Sequence, residues 1–251
     1  MSEELGFRFT WYGHSCVHLV TPEGVHVLFD PWFGNPRSPS PADAVERCDV
    51  MLVSHGHFDH LGAQPGEVAT ADSVTIARRT QPAWPAIHEL SLWLEGLEGL
   101  GAEVIGMNKG GTVAARGLRI GMVHADHSAG DWVAPDAVPL HLGEPVGFVV
   151  ELETGSRVYF AGDTALFGDM RLIGEMHRPD VAFLPIGGHY TMDPAAAARA
   201  VELLGAPTVV PLHYGTFPVL VGTPEQLREE LAALGLDDVM VLSPEPGQRV
   251  G

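Results

Sequence analysis

The chain has 251 residues, is 45% hydrophobic and 18% charged, and carries a formal net charge of −18. That is enough chain for a sizeable core, its composition is not that of a disordered protein, and its charge would repel nucleic acid at long range. There is no apolar segment after a basic start and no apolar run of about 18 residues, so neither a signal peptide nor a membrane span is expected; Cys16 and Cys48 are too few for a disulfide framework and point to a reduced, cytoplasmic setting.

Residues 7 to 30 read as three strands, Phe7–Trp11, Cys16–Val20 and Val25–Phe29, the last two separated by the turn Thr21-Pro22-Glu23-Gly24. Asp30 ends the third strand against Pro31, where its carboxylate can accept a hydrogen bond from a metal-binding histidine and fix its tautomer. His14 can be structural or catalytic, whereas His18 and His26 lie within strands and read as ordinary residues. Residues 31 to 48 form a proline-rich loop with one helical turn near Ala42–Arg47, and Trp32 and Phe33 are placed at the entrance to a site.

An apolar strand, Asp49–Val53, then runs into Ser54-His55-Gly56-His57-Phe58-Asp59-His60. Residues two apart in an extended chain project to one side, so His55 and His57 can reach one ion together. A turn at Phe58 aims Asp59 and His60 at a second position nearby. Three imidazoles and a carboxylate suit zinc, manganese or iron. A merely solvated, histidine-rich loop would not be expected at the end of a buried strand.

Further along, Ser73–Ala77 reads as a strand, and Ile87, Leu90, Leu94 and Leu97 give Trp84–Leu100 helical spacing, with His88 as a structural residue on that helix. Short strands follow at Val104–Ile105, Thr112–Ala114 and Leu118–Val123. The last of these enters His124-Ala125-Asp126-His127-Ser128, where His124 or His127 can supply a third nitrogen to the first ion. Residues 129 to 144 form a long loop with Trp132 and His141, expected to be a substrate-facing lid. A hairpin of 146–152 and 158–160 ends at Asp163, placed to bridge two cations roughly 3.5–4 Å apart. A helix is expected over 165–176, then a strand from Asp180 to Leu184 leading to His189 and Tyr190. Asp193 and Pro194 open a helix to Leu204. A strand over 208–211 delivers His213, Thr223-Pro224-Glu225 caps a helix to Leu234, and residues 239–242 close the series as a strand. Two runs of strands with helices after each imply two packed sheets with helices outside, an αββα sandwich.

The pattern His-x-His-x-Asp-His after a hydrophobic strand resembles the signature of the metallo-β-lactamase fold hydrolases. Phe29-Asp30-Pro31-Trp32, His127-Ser128, Ala161-Gly162-Asp163-Thr164 and Pro211–Phe217 occur in the matching order. The combination is most similar to the metal-dependent hydrolases related to ascorbate-phosphate lactonase and to ribonuclease Z type enzymes. The resemblance implies an α+β, four-layer αββα sandwich formed by one domain over residues 1–251. It also implies two divalent metal ions, zinc first with manganese or iron as alternatives. One ion would take His55, His57 and His127, chosen over His124 on the His-Ser dipeptide; the other would take Asp59, His60 and His213, with Asp163 shared.

Such a site would cleave a small ester, lactone or phosphodiester with a hydroxide activated by the two ions, Asp59 helping to orient it. His189, Tyr190 and Tyr214 are the candidate proton donors to the leaving group, His189 foremost. The alternatives are a ribonuclease Z-like nuclease, which the charge opposes, and a non-catalytic metal-binding protein. A di-iron enzyme reducing oxygen or nitric oxide would need a flavin domain for which no chain remains. Absence of a Gly-x-Ser-x-Gly elbow and of a phosphate-binding glycine loop argues against serine hydrolases and nucleotide triphosphatases. The expected partner is a small-molecule substrate, and a homo-oligomer is compatible with the sequence.

Overall fold

The structure is a computed structural model and describes residues 5–64, 67–131 and 138–251. The amino-terminal half contributes β1 (Arg8–Trp11), β2 (Val17–Val20), β3 (His26–Phe29), β4 (Val50–Leu52), β5 (Ala83–Ile87) and β6 (Glu103–Met107) to one sheet. Helices α1 (Phe58–Leu61), α2 (Asp72–Thr80) and α3 (His88–Glu95) lie between its later strands. The second half supplies β7 (Thr112–Ala115), β8 (Leu118–His124), a short ribbon of β9 (Gly130–Asp131) and β10 (Leu140–His141), then β11 (Val146–Glu151), β12 (Arg157–Phe160), β13 (Val181–Pro185), β14 (Thr208–Leu212) and β15 (Met240–Val241). Helices α4 (Met170–His177), α5 (Pro194–Leu204) and α6 (Pro224–Ala233) intervene, and β16 (Arg249–Val250) returns to pair with β1.

The two large sheets have the orders β16-β1-β2-β3-β4-β5-β6 and β15-β14-β13-β12-β11-β8-β7. They face each other through aromatic side chains that alternate inward along their strands. Phe29 stacks on Phe160 at 4.6 Å and Phe9 meets Phe183 edge-on at 5.2 Å, all four fully buried. With the helices this is the expected α+β sandwich. Asp193 caps α5 by accepting the Ala196 N–H at 2.8 Å, and Thr223 and Gln226 form a reciprocal capping box on α6. Among the described residues no helix is long and apolar enough to cross a membrane, and both cysteines are free and buried.

Three expected elements differ. Ser73–Ala77 is part of helix α2, because its buried residues, Ser73, Val74, Ile76 and Ala77, fall on one face at helical spacing. The β-branched run Val-Thr-Ile imitates a strand locally. Conversely, the expected helix from Trp84 begins only at His88. Ala83–Ile87 is a strand buried at every residue and paired in parallel with β6, and parallel strands covered on both faces show no alternation. The helix expected over 165–176 starts late, at Met170. In the expected lid, Gly130–Asp131 pairs with Leu140–His141, and residues 132–137 lie outside the described residues.

Candidate metal centre

The site sits where the carboxyl ends of β3, β4, β12 and β14 meet the β1–β2 and β8–β9 connections. After β4 the chain is extended through His55 and His57 and then turns into α1, whose single turn carries Asp59 and His60. His55 Nε2 and His57 Nδ1 face each other at 2.8 Å. His127 completes a group with them in which one ring nitrogen from each lies within 4.8 Å of the others.

Asp163 is the meeting point of the remaining side chains. Its Oδ2 lies 3.3 Å from His60 Nε2, 3.6 Å from His127 Nε2 and 3.0 Å from His213 Nε2. Asp59, His60, His213 and His14 form a second compact group of potential ligands, and His55, His60 and Asp163 a third. The structure therefore brings together all seven residues assigned from the sequence to the two ions.

Behind them is a layer of hydrogen bonds that sets tautomers. His60 Nδ1–H donates to Asp30 Oδ2 at 2.6 Å, which directs Nε2 toward Asp163. The Ser54 N–H and hydroxyl both donate to Asp30, each at 2.7 Å. With its own proton so committed, Ser54 Oγ accepts His55 Nδ1–H at 2.9 Å, leaving His55 Nε2 as a lone pair facing His57. His14 Nε2–H donates to Asp59 Oδ2 at 3.0 Å.

Backbone geometry enforces the convergence. His14, Asp30 and His213 have positive φ values of 52°, 40° and 55°, conformations that non-glycine residues adopt at a cost of order 1–3 kcal/mol. The His213 N–H donates to the His14 carbonyl at 2.9 Å, and so does Trp11 Nε1–H, also at 2.9 Å. Gly162 is needed beside Asp163: a Cβ there would lie 2.5 Å from Ser54 Cβ, so only glycine lets the two sheets approach this closely.

These residues fit divalent cations. Burial opposes charge on His60, yet Asp163, Asp30 and Asp59 together raise it well above the ordinary imidazole range. Burial would likewise raise Asp163, but His213 and His60 hold it well below the usual carboxylate range. Burial, then His60 and His57, push His55 well below its ordinary value, as suits a nitrogen that binds metal as a lone pair. Buried His60 Nε2, Asp163 Oδ1 and His213 Nδ1 have no hydrogen-bond partner among the described residues. Positive charge is favoured here, and the cluster keeps buried ligand-type atoms without a hydrogen-bond partner among the described residues.

A cavity of about 600 Å³ opens over the cluster, with His57, Asp59, His127, Asp163 and His213 at its floor and Phe58, Tyr190, Phe217 and Val219 in its walls. Among the proton-donor candidates, Tyr190 reaches this cavity. His189 is exposed, has a φ of 58°, packs edge-on against Tyr190 and is not among the residues lining the cavity. Tyr214 is drawn into the core, stacked on Trp11 at 5.1 Å and covered by Arg37. Trp32 and Phe33 are buried, so they do not form the entrance; Trp32 instead supports Phe58 and Phe217 from behind. His124 stands outside the cluster against Lys109 and Phe167. His14, left open by the sequence, belongs to the site; its partner is 45 residues away and only the fold reveals it.

Fold and side-chain cluster together define a metal-dependent hydrolase of the metallo-β-lactamase superfamily, and the chain belongs to that superfamily: residues 26–214 match the β-lactamase superfamily domain. Its relatives are more particular. It is 44% identical over 227 residues to a UPF0173 metal-dependent hydrolase of Koribacter versatilis, covering 89% of this chain and 91% of that protein. Identity is also 44% with one of Methanopyrus kandleri over 243 residues, 96% of this chain and 98% of the relative. The solved structure of Igni18, a metallo hydrolase from Ignicoccus hospitalis, superposes with a TM-score of 0.81 at 36% identity and 97% coverage of both chains.

Proposed function

We propose that this chain is a hydrolase with a pair of divalent metal ions, acting on a small ester, lactone or phosphodiester. His55, His57 and His127 would hold one ion, Asp59, His60 and His213 the other, and Asp163 both. The observation that carries the reading is the approach of three imidazole nitrogens, from His60, His127 and His213, to the single oxygen Asp163 Oδ2, none farther than 3.6 Å. One carboxylate oxygen among nitrogens from three separate segments supports a carboxylate shared by a pair of cations.

Two divalent cations, zinc first with manganese or iron as alternatives, would supply Lewis acidity and bring a water's pKa down toward neutrality. The protein's own groups do the remainder. Asp30 and Ser54 hold the His60 and His55 rings in metal-binding tautomers. His14 fixes one oxygen of Asp59, leaving the other to orient the attacking oxygen. Of the three candidate proton donors, Tyr190 is the one that lines the cavity, and it would protonate the leaving group. Phe58 and Phe217 line one side of the cavity with hydrocarbon.

The test is metal content of the purified protein together with a panel of esters, lactones and phosphodiesters, applied to wild type and to Asp163→Asn. About two metal equivalents and at least roughly a hundredfold loss of turnover in the variant are expected. One equivalent or less, or a variant as active as wild type, would contradict the proposal.

A further inference from the structure

The walls of the cavity bear on what it admits. Above the cluster they are formed by Phe58, Phe217, Val219 and the ring of Tyr190. Trp32 stands behind two of them, 5.6 Å from Phe58 and 5.9 Å from Phe217, so the apolar wall is braced in depth. No Lys or Arg occurs among the described lining residues. Two basic side chains of the surrounding segments are engaged elsewhere: Arg37 lies over Trp11 and Tyr214 and donates to the Tyr214 carbonyl, and Lys109 pairs with Glu144.

Charge points the same way. Three carboxylates, Asp30, Asp59 and Asp163, lie in or directly behind the cluster and would offset most of the charge of two divalent cations. The chain as a whole carries −18, which disfavours the approach of anions. Sites that select phosphate commonly present guanidinium or ammonium groups to the non-reacting oxygens; this lining has neither, and apart from Ser128 and Gly130 its wall above the cluster is aromatic and aliphatic.

We infer that the cavity recognises uncharged substrates bearing an apolar acyl chain, an ester or lactone whose hydrocarbon part lies against Phe58, Phe217 and Val219, and discriminates against phosphodiesters. The inference rests on the hydrolase reading of the same site and narrows its substrate class. Hydrolysis adds water across the acyl C–O bond: the carbon gains the hydroxyl oxygen, the C–O bond to the alcohol breaks, and the alcohol oxygen takes the proton.

Full-length, metal-loaded protein serves for the test, with two readouts. In the first, kcat/KM is compared for 4-nitrophenyl acetate, butyrate and hexanoate, for γ- and δ-lactones, and for bis(4-nitrophenyl) phosphate. It should rise by up to about fourfold per methylene in the ester series, the increment expected for hydrocarbon burial, and every ester should exceed the phosphodiester. In the second, hexanamide, an uncharged and unreactive analogue, is titrated against intrinsic tryptophan fluorescence, with Trp32 behind the wall as reporter. Saturable binding that weakens about tenfold in Phe217→Ala is expected.

Val219, at 42% exposure, gives a variant that leaves the core intact. Val219→Lys should lower the ratio of ester to phosphodiester turnover at least fivefold. A phosphodiester preferred by wild type, no dependence on chain length, or hexanamide binding indifferent to both substitutions would overturn the inference. If hexanamide binds as expected but no compound is turned over, recognition stands and the hydrolytic reading fails.

Discussion

Asp30 touches no substrate, yet its buried carboxylate takes three short hydrogen bonds, from the Ser54 N–H, the Ser54 hydroxyl and His60 Nδ1–H. Asp30→Asn should lower metal affinity roughly 10–100-fold, the usual effect of removing such a support, and Ser54→Ala should do so less. Chelator competition measures both, and unchanged affinity in Asp30→Asn would contradict the assignment. Gly162→Ala makes a steric test: its Cβ would lie 2.5 Å from Ser54 Cβ and 2.9 Å from the Val146 carbonyl. The expected outcome is a loss of about 1–3 kcal/mol in chemical denaturation and weaker metal binding, since Asp163 is displaced with it. At this scale the residues from His55 to His60 were legible because they are contiguous and follow an apolar strand. His14 was not resolved, because no local periodicity distinguishes a histidine that meets Asp59 from one that does not.

The elements repeat. In each sheet the seven strands follow the same series of pairings: an edge strand, an antiparallel three-strand meander, then three parallel strands, β16-β1-β2-β3-β4-β5-β6 against β7-β8-β11-β12-β13-β14-β15. Asp30 after β3 thus corresponds to Asp163 after β12, and His14 between β1 and β2 to His127 between β8 and β11. Element order alone hinted at this likeness; strand pairing makes it explicit, and β16, two residues long, left no readable pattern. The misread α2 and β5 share one cause: burial of both faces, or a β-branched run on one helical face, removes the periodicity that distinguishes helix from strand. Away from the site, His18 Nε2 and His26 Nδ1 meet at 3.0 Å across β2 and β3, beside Asp49, whose carboxylate accepts the His26 N–H. Burial, then His26, lowers His18 to about 4, while Asp49 works weakly against the shift. His18 is therefore neutral when folded but takes a proton when unfolded below its ordinary pKa of about 6.5, so stability is lost as pH falls from there toward 4. The loss attributable to His18 should reach at most about 3 kcal/mol. His18→Gln should flatten that part of the curve in urea denaturation, and parallel curves down to pH 4 would refute the attribution.

At the scale of the whole molecule, the two sheets are joined by the aromatic core on one side and by the cluster on the other. His55, His57, Asp59 and His60 come from the first sheet; His127, Asp163 and His213 come from the second. Cations held by both should cross-link them, so chelation should lower the melting temperature by about 10–20 °C, given both ions at about a hundred times their dissociation constants. Calorimetry with and without chelator decides this, and an unchanged midpoint would mean that metal does not bridge the sheets. The charge of −18 and the apolar residues lining the cavity are the grounds for the proposed preference for uncharged substrates. The central claim, that side chains from both sheets grip a pair of cations around Asp163, is tested most directly by anomalous diffraction from crystals of the metal-loaded protein. Two peaks about 3.5–4 Å apart, flanking the Asp163 carboxylate, are predicted; a single peak, or none within bonding distance of Asp163, would contradict it.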